Sequence, residues 1–158
     1  MAHVSVKRAV PLTLHQVFAI AADVASYKEF LPLCTRSTIR GAVEKHDGVK
    51  KFAADLQIAV KKLGFSESFT SKVETDEYNK TVLATSQDGP LKSLRAMWTM
   101  KSIDGARSEV AITIDYELKN RFLQMAASSM MNLAVAKVLV AFEARGAKLY
   151  PASTLPNI

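Results

Sequence analysis

The chain has 158 residues, of which 49% are hydrophobic and 23% charged, with a formal net charge of +6. That length and apolar content support one core-bearing domain without help from metals or disulfides, and the single cysteine, Cys34, excludes an intrachain disulfide and a multi-cysteine zinc site. The 21 Lys and Arg against 15 Asp and Glu favour polyanionic partners such as anionic headgroups or RNA. Basic doublets occur only at Lys7-Arg8, Lys50-Lys51 and Lys61-Lys62, so a solvated surface is the simpler reading.

Residues 1–8 lack the basic region and following apolar run of a secretory leader, so the chain reads as mature and cytoplasmic. No internal period and no Gly/Ser/Pro-rich linker divides it, which implies one domain over residues 1–150 and a short loose tail over 151–158. Residues 3–10 alternate, with Val4, Val6 and Val10 on one face and His3, Ser5 and Lys7 on the other, as in a half-buried strand. Pro11 ends it. Thr13-Leu14-His15-Gln16 then has the form of a capping box, in which the Thr13 hydroxyl and the Gln16 side chain satisfy each other's backbone N–H groups. Val17, Phe18, Ile20, Ala21 and Val24 follow at helical spacing, and Tyr27, Phe30 and Leu31 extend the pattern through a second short helix before Pro32.

From there the pattern changes to strands over residues 37–44, 49–62, 65–74, 81–86, 94–103 and 108–118, separated by turn-forming Gly, Asn, Asp and Pro clusters. With the first strand they make a seven-stranded antiparallel meander. The apolar positions share a face: Leu56, Ile58 and Val60; Phe65, Glu67, Phe69 and Val73; Leu94, Ala96, Trp98 and Met100; Val110, Ile112, Ile114, Tyr116 and Leu118. That face needs a cover. Residues 122–149 run without proline, and Lys137 is the only charge between Phe122 and Phe142, which makes a long apolar helix. A membrane span, which needs about 20 apolar residues, is the rival reading. Gln124, Ser128, Ser129, Asn132 and Lys137 dilute the apolarity, so a helix buried against the sheet is preferred.

An apolar pocket between sheet and helix would be lined by Phe65, Phe69, Trp98, Met100 and Tyr116, facing Met125, Met130 and Leu133. An ordinary packed core is the alternative. Glu67 sits between two inward aromatics, where a carboxylate must be paired, protonated or in contact with ligand, unless a bulge turns it outward. Tyr27, Phe30 and Pro32 on one side and Gly89, Pro90 and Leu91 on the other are candidate lips of the pocket mouth, with Phe30 and Leu91 placed to touch a membrane surface. No catalytic or metal-binding motif is present, and Cys34 has no evident histidine partner, so no catalytic residue, metal or required cofactor is expected.

Particular residues carry a family resemblance. Asp23-Val24-Ala25-Ser26-Tyr27-Lys28-Glu29-Phe30-Leu31-Pro32, with Cys34, resembles the signature Asp-Val-x-x-Tyr-Pro-x-Phe-Leu-Pro-Trp-Cys, apart from Lys28 in place of proline and Leu33 in place of tryptophan. Glu67-Ser68-Phe69-Thr70-Ser71-Lys72-Val73, Gly89-Pro90-Leu91-Lys92-Ser93-Leu94, Trp98 and Phe142-Glu143-Ala144-Arg145-Gly146 match further pieces in order. The whole resembles the coenzyme Q-binding family within the START-like, polyketide cyclase/dehydrase (helix-grip) superfamily. The resemblance implies an α+β fold in which a curved seven-stranded sheet wraps a long C-terminal helix after an excursion of two short helices. It further implies a lipid cavity, with ubiquinone or a related polyprenyl lipid as ligand and peripheral contact at the inner membrane surface. A ribosome-binding toxin branch, acting on the large subunit, is the alternative it carries, and a cyclase/dehydrase is the third. DNA is not an implied partner. Fold transfers across such families better than function does.

Overall fold

The computed structural model describes residues 2–151, and apart from Pro151 the expected tail at 151–158 lies outside the described residues. Strand β1 (Ala2–Val10) leads into helix α1 (Leu14–Ala22) and a 3-10 helix over Val24–Glu29. Strands β2 (Cys34–His46), β3 (Val49–Val60), β4 (Phe65–Asp76), β5 (Thr81–Ser86), β6 (Leu91–Ser102) and β7 (Ser108–Leu118) follow, and helix α2 (Arg121–Leu149) closes the chain. The strands form one antiparallel sheet in the order β1-β7-β6-β5-β4-β3-β2, curved around α2. The START-like α+β architecture expected from the sequence is therefore the observed one.

Local chemistry explains the start of the excursion. The Gln16 N–H donates to Thr13 Oγ1 at 3.2 Å and the Thr13 N–H to Gln16 Oε1 at 3.0 Å, completing the capping box. Val17, Ile20 and Ala21, at i, i+3 and i+4, form the buried face of α1. Ser37, fully buried, ties the 3-10 helix to β2 by donating to the Ala25 carbonyl at 2.9 Å and accepting from the Lys28 N–H at 3.0 Å.

Three boundaries differ from expectation for physical reasons. Residues 61–63 leave β3 as a single 3-10 turn, ended by Gly64 in the left-handed region at φ 61°. Strand β2 begins earlier, at Cys34, which pairs with Ile58, and irregularities between Cys34 and Arg36 and between Arg40 and Glu44 blur its alternation. Strand β6 also starts early, because Leu91 pairs with Leu118 ahead of an irregularity before Ser93.

Helix α2 rests mainly on β1, β7 and α1, not on β3 and β4. Its C-terminal half supplies Val135, Leu139 and Phe142 to the core, each no more than 2% exposed. The Phe142 ring lies 5.3 Å from Trp98, which also meets Tyr27 at 6.4 Å. Gly146 allows the close approach of α2 to the turn before α1, since a Cβ there would collide with the Leu12 side chain. The N-terminal half of α2 is different, and leaves space between itself and the sheet. Length and composition alone would let α2 cross a membrane, but Val135, Leu139, Phe142 and Gly146 bury one face of its C-terminal half in the core of this domain.

Candidate ligand-binding site

That space is a cavity of about 330 Å³, near the lower end of the range, about 300–1,000 Å³, usual for small-molecule sites. The sheet contributes Leu56, Ile58, Phe69, Ala84, Ala96 and Ile114 among others, and α2 contributes a stripe through Leu123, Ala127, Met130, Ala134 and Val138. Among the described residues, no Asp, Glu, Lys, Arg or His lines it.

The few polar groups in the lining can be accounted for one by one. The Tyr27 hydroxyl donates to the Ala21 carbonyl and receives a hydrogen bond from Trp98; burial pushes its ionisation far above the ordinary tyrosine range. Cys34 Sγ donates to the Arg36 carbonyl at 3.5 Å, and burial raises its thiol pKa. Two hydroxyls remain: Ser71 Oγ and Tyr116 Oη are buried and without a protein partner. The strand register relates them. Tyr116 pairs with Leu94, and Leu94 with Ser86. Lys72 pairs with Thr85, which sets Ser71 level with Ser86. Ser71, Ser86, Leu94 and Tyr116 thus form one row across the sheet. Ser86 is occupied, since its hydroxyl donates to the Thr70 carbonyl at 2.7 Å. The two ends of the row are free to donate to something inside the cavity.

Phe65, Phe69, Trp98, Tyr116 and Met130 line the cavity, as do Tyr27, Pro32, Pro90 and Leu91. Other expectations are corrected. Met100 is buried in the core but not against the cavity. Met125 and Leu133 point to solvent, 75% and 64% exposed, because they lie on a stripe of α2 turned away from the cavity stripe through Ala127 and Ala134. Glu67 pairs with Ile58, a cavity residue, yet it is exposed and outside the lining. It stands on the β3–β4 hairpin, away from the strands on which α2 mainly rests, and its side chain is exposed to solvent. Phe30 is no lip: Tyr27 meets its ring edge-on at 6.0 Å and the Arg145 guanidinium lies 5.3 Å from it. Leu91 is 6% exposed and faces inward. Gly89 shapes the turn, at φ 60° with a Cβ position 2.8 Å from the Ser68 carbonyl oxygen.

Sequence reasoning set Ala96 on the inner face but assigned neither it nor Ser71, Cys34, Leu33, Ala84, Ala127 and Ala134 to the cavity. The alanines carry a readable signal: Ala84 pairs with Ala96 on the inner face, and Ala127 and Ala134 look back from the helix. Small residues on both facing surfaces mark a hollow where a packed core would place large ones. Leu33, at φ 71°, holds a left-handed conformation uncommon for such a residue and leaves its side chain 41% exposed at the cavity edge.

A sheet gripping a long helix over an uncharged cavity defines a START-like fold. The chain belongs to the polyketide cyclase / dehydrase and lipid transport family, whose pattern it matches over residues 10–143. It is 29% identical over 152 residues to the ribosome association toxin RatA of Escherichia coli (strain K12), covering 96% of this chain and 91% of that protein. It is 28% identical over 142 residues to the mitochondrial coenzyme Q-binding protein COQ10 of Dictyostelium discoideum, covering 89% of this chain and 66% of that protein. Among solved structures, the Zhui aromatase/cyclase from Streptomyces sp. R1128 superposes with a TM-score of 0.80 at 16% identity, covering 96% of each chain, a likeness of fold.

Proposed function

We propose that the cavity holds ubiquinone or a related polyprenyl quinone, and that the protein shields and carries it in support of respiration without chemistry of its own. The observation that carries this reading is the uncharged lining in which, among the described residues, the buried side-chain hydroxyls without a protein partner are those of Ser71 and Tyr116. A quinone offers two carbonyl acceptors on a neutral ring, and its tail is apolar. A fatty acid or phospholipid would bring an anionic group into a site with no cation, and burial of an unpaired charge costs several kcal/mol. The coenzyme Q-binding relative supports the same ligand class. The lining also supports a non-catalytic role, since it offers no carboxylate or imidazole to move a proton. The working place would be the cytoplasmic side of the inner membrane.

Trp98, the single tryptophan, lines the cavity, so its fluorescence reports occupancy directly. Saturable quenching by a short-tailed ubiquinone, together with a quinone in organic extracts of the purified protein, is the expected result. An empty extract and no quenching would reject the reading.

Association with the large ribosomal subunit is the second reading, favoured by the similarity to RatA over 96% of the chain and by the net charge of +6. It predicts co-sedimentation with large subunits that weakens steeply as salt rises.

A further inference from the structure

The exposed apolar side chains of α2 are not scattered. Phe122, Met125 and Leu133 are 74%, 75% and 64% exposed, and at spacings of 3 and 8 residues they fall on one stripe of a 3.6-residue helix. Ser129 continues that stripe between Met125 and Leu133, and Val140, 51% exposed, extends it. The cavity stripe through Leu123, Ala127 and Ala134 lies on the other side of the same helix. The charges around the stripe have one sign. Lys119, Arg121 and Lys137 are exposed or border it, and the helix carries no Asp or Glu before Glu143.

We propose that this face docks on an anionic lipid bilayer. Phe122, Met125 and Leu133 enter the headgroup boundary, and Lys119 and Arg121 lie against the phosphates. An apolar stripe flanked by cations is the composition of an interfacial helix, and the long Lys and Arg stems reach outward while the apolar residues sink. A second copy of the chain fits less well, because a two-fold contact through this stripe sets two faces that both carry only positive charge, from Lys119, Arg121 and Lys137, against each other. RNA would use the cations and leave Phe122 and Met125 in water. The surface differs from the one expected from sequence, where Phe30 and Leu91 were the membrane contacts; both face inward.

The test is flotation of the full chain with vesicles of phosphatidylcholine alone or mixed with phosphatidylglycerol, at low and high salt. Binding to the mixed vesicles that falls with salt is expected. The double variant Phe122→Ser/Met125→Ser should weaken partitioning about tenfold or more, given the burial of two large apolar side chains. Lys119→Gln/Arg121→Gln should weaken it roughly tenfold or more, and only on anionic vesicles. All four positions lie outside the cavity lining, so Trp98 quenching by quinone in detergent should persist in both variants. Loss of quenching in the wild type would sink the quinone reading and leave this one standing. Equal flotation on neutral and anionic vesicles, or equal flotation of Phe122→Ser/Met125→Ser and the wild type, would overturn the proposal. So would a wild-type dimer that this variant dissolves, or large-subunit binding by these residues without flotation.

Discussion

Tyr116→Phe separates a binding hydroxyl from a structural one, because the two roles predict opposite signs in the empty protein. Tyr116 is 3% exposed and its hydroxyl has no protein partner. A buried unsatisfied hydroxyl costs about 1–3 kcal/mol, so its removal with the ring kept should leave the empty protein as stable or about 1 kcal/mol more stable. For a domain of this size that is a rise of about 2–4 °C in melting temperature. In the quinone complex the same hydroxyl donates to a carbonyl, and its loss should weaken binding by about 0.5–1.5 kcal/mol, or about 2- to 10-fold. Differential scanning fluorimetry without ligand and Trp98 quenching with short-tailed ubiquinone measure the two arms. A variant that melts lower than wild type when empty, or binds quinone as tightly, would refute the assignment. Ser71→Ala should follow the same pattern with a smaller binding loss, since the shorter side chain reaches less far into the cavity.

Trp98→Ala should cost about 3–5 kcal/mol in chemical denaturation, because the ring is 4% exposed and packed between Tyr27 and Phe142. Ala127→Phe projects a ring into the cavity, so it should hold or raise the melting temperature while reducing bound quinone per chain in extracts. Glu67→Gln should leave both folding and quinone affinity unchanged, since Glu67 stands outside the lining; a loss of affinity above about threefold, near 0.6 kcal/mol, would return it to the site. The Cys34 thiol, raised by burial, should stay protonated at neutral pH and react slowly with iodoacetamide, more slowly still with quinone bound. Its folded pKa exceeds the unfolded one, so the stability it contributes is complete below the ordinary thiol pKa and is lost as pH rises through the raised value. Alkaline unfolding at fixed urea should therefore shift to higher pH in Cys34→Ala.

The sheet was legible because its pattern has period two and its turns are chemically marked: β5 and β7 fall at the expected residues, and β1 and β4 lie within two residues of them. Helix α2 was legible as an element but not in its facing. Apolar residues occupy two nearly opposite stripes, one on the cavity and one in solvent, and a helix apolar on both sides offers no periodic signal to say which is inward. Met125 and Leu133 were assigned inside for that reason. Glu67 failed differently. Alternation along β4 places it on the inner side correctly, but alternation cannot tell how far the covering helix extends, and α2 stops short of that hairpin. Ser71 was overlooked because a serine on an inner face looks like ordinary strand filler until its partners are counted.

The hollow itself argues for an occupant. Its walls are mainly leucine, isoleucine, valine, alanine and aromatic side chains, and apolar surface left open to water forgoes about 25 cal/mol per Å² of stabilisation. Water relieves this poorly, since an ordered water wants about three hydrogen bonds and the walls offer two free hydroxyls set apart along one row. The alanines at positions 84, 96, 127 and 134 keep the space open where leucine or methionine would close it. A fold that carries this cost keeps a site ready for an apolar molecule with a small acceptor group, and the bound molecule in turn contributes to the stability of the domain that holds it.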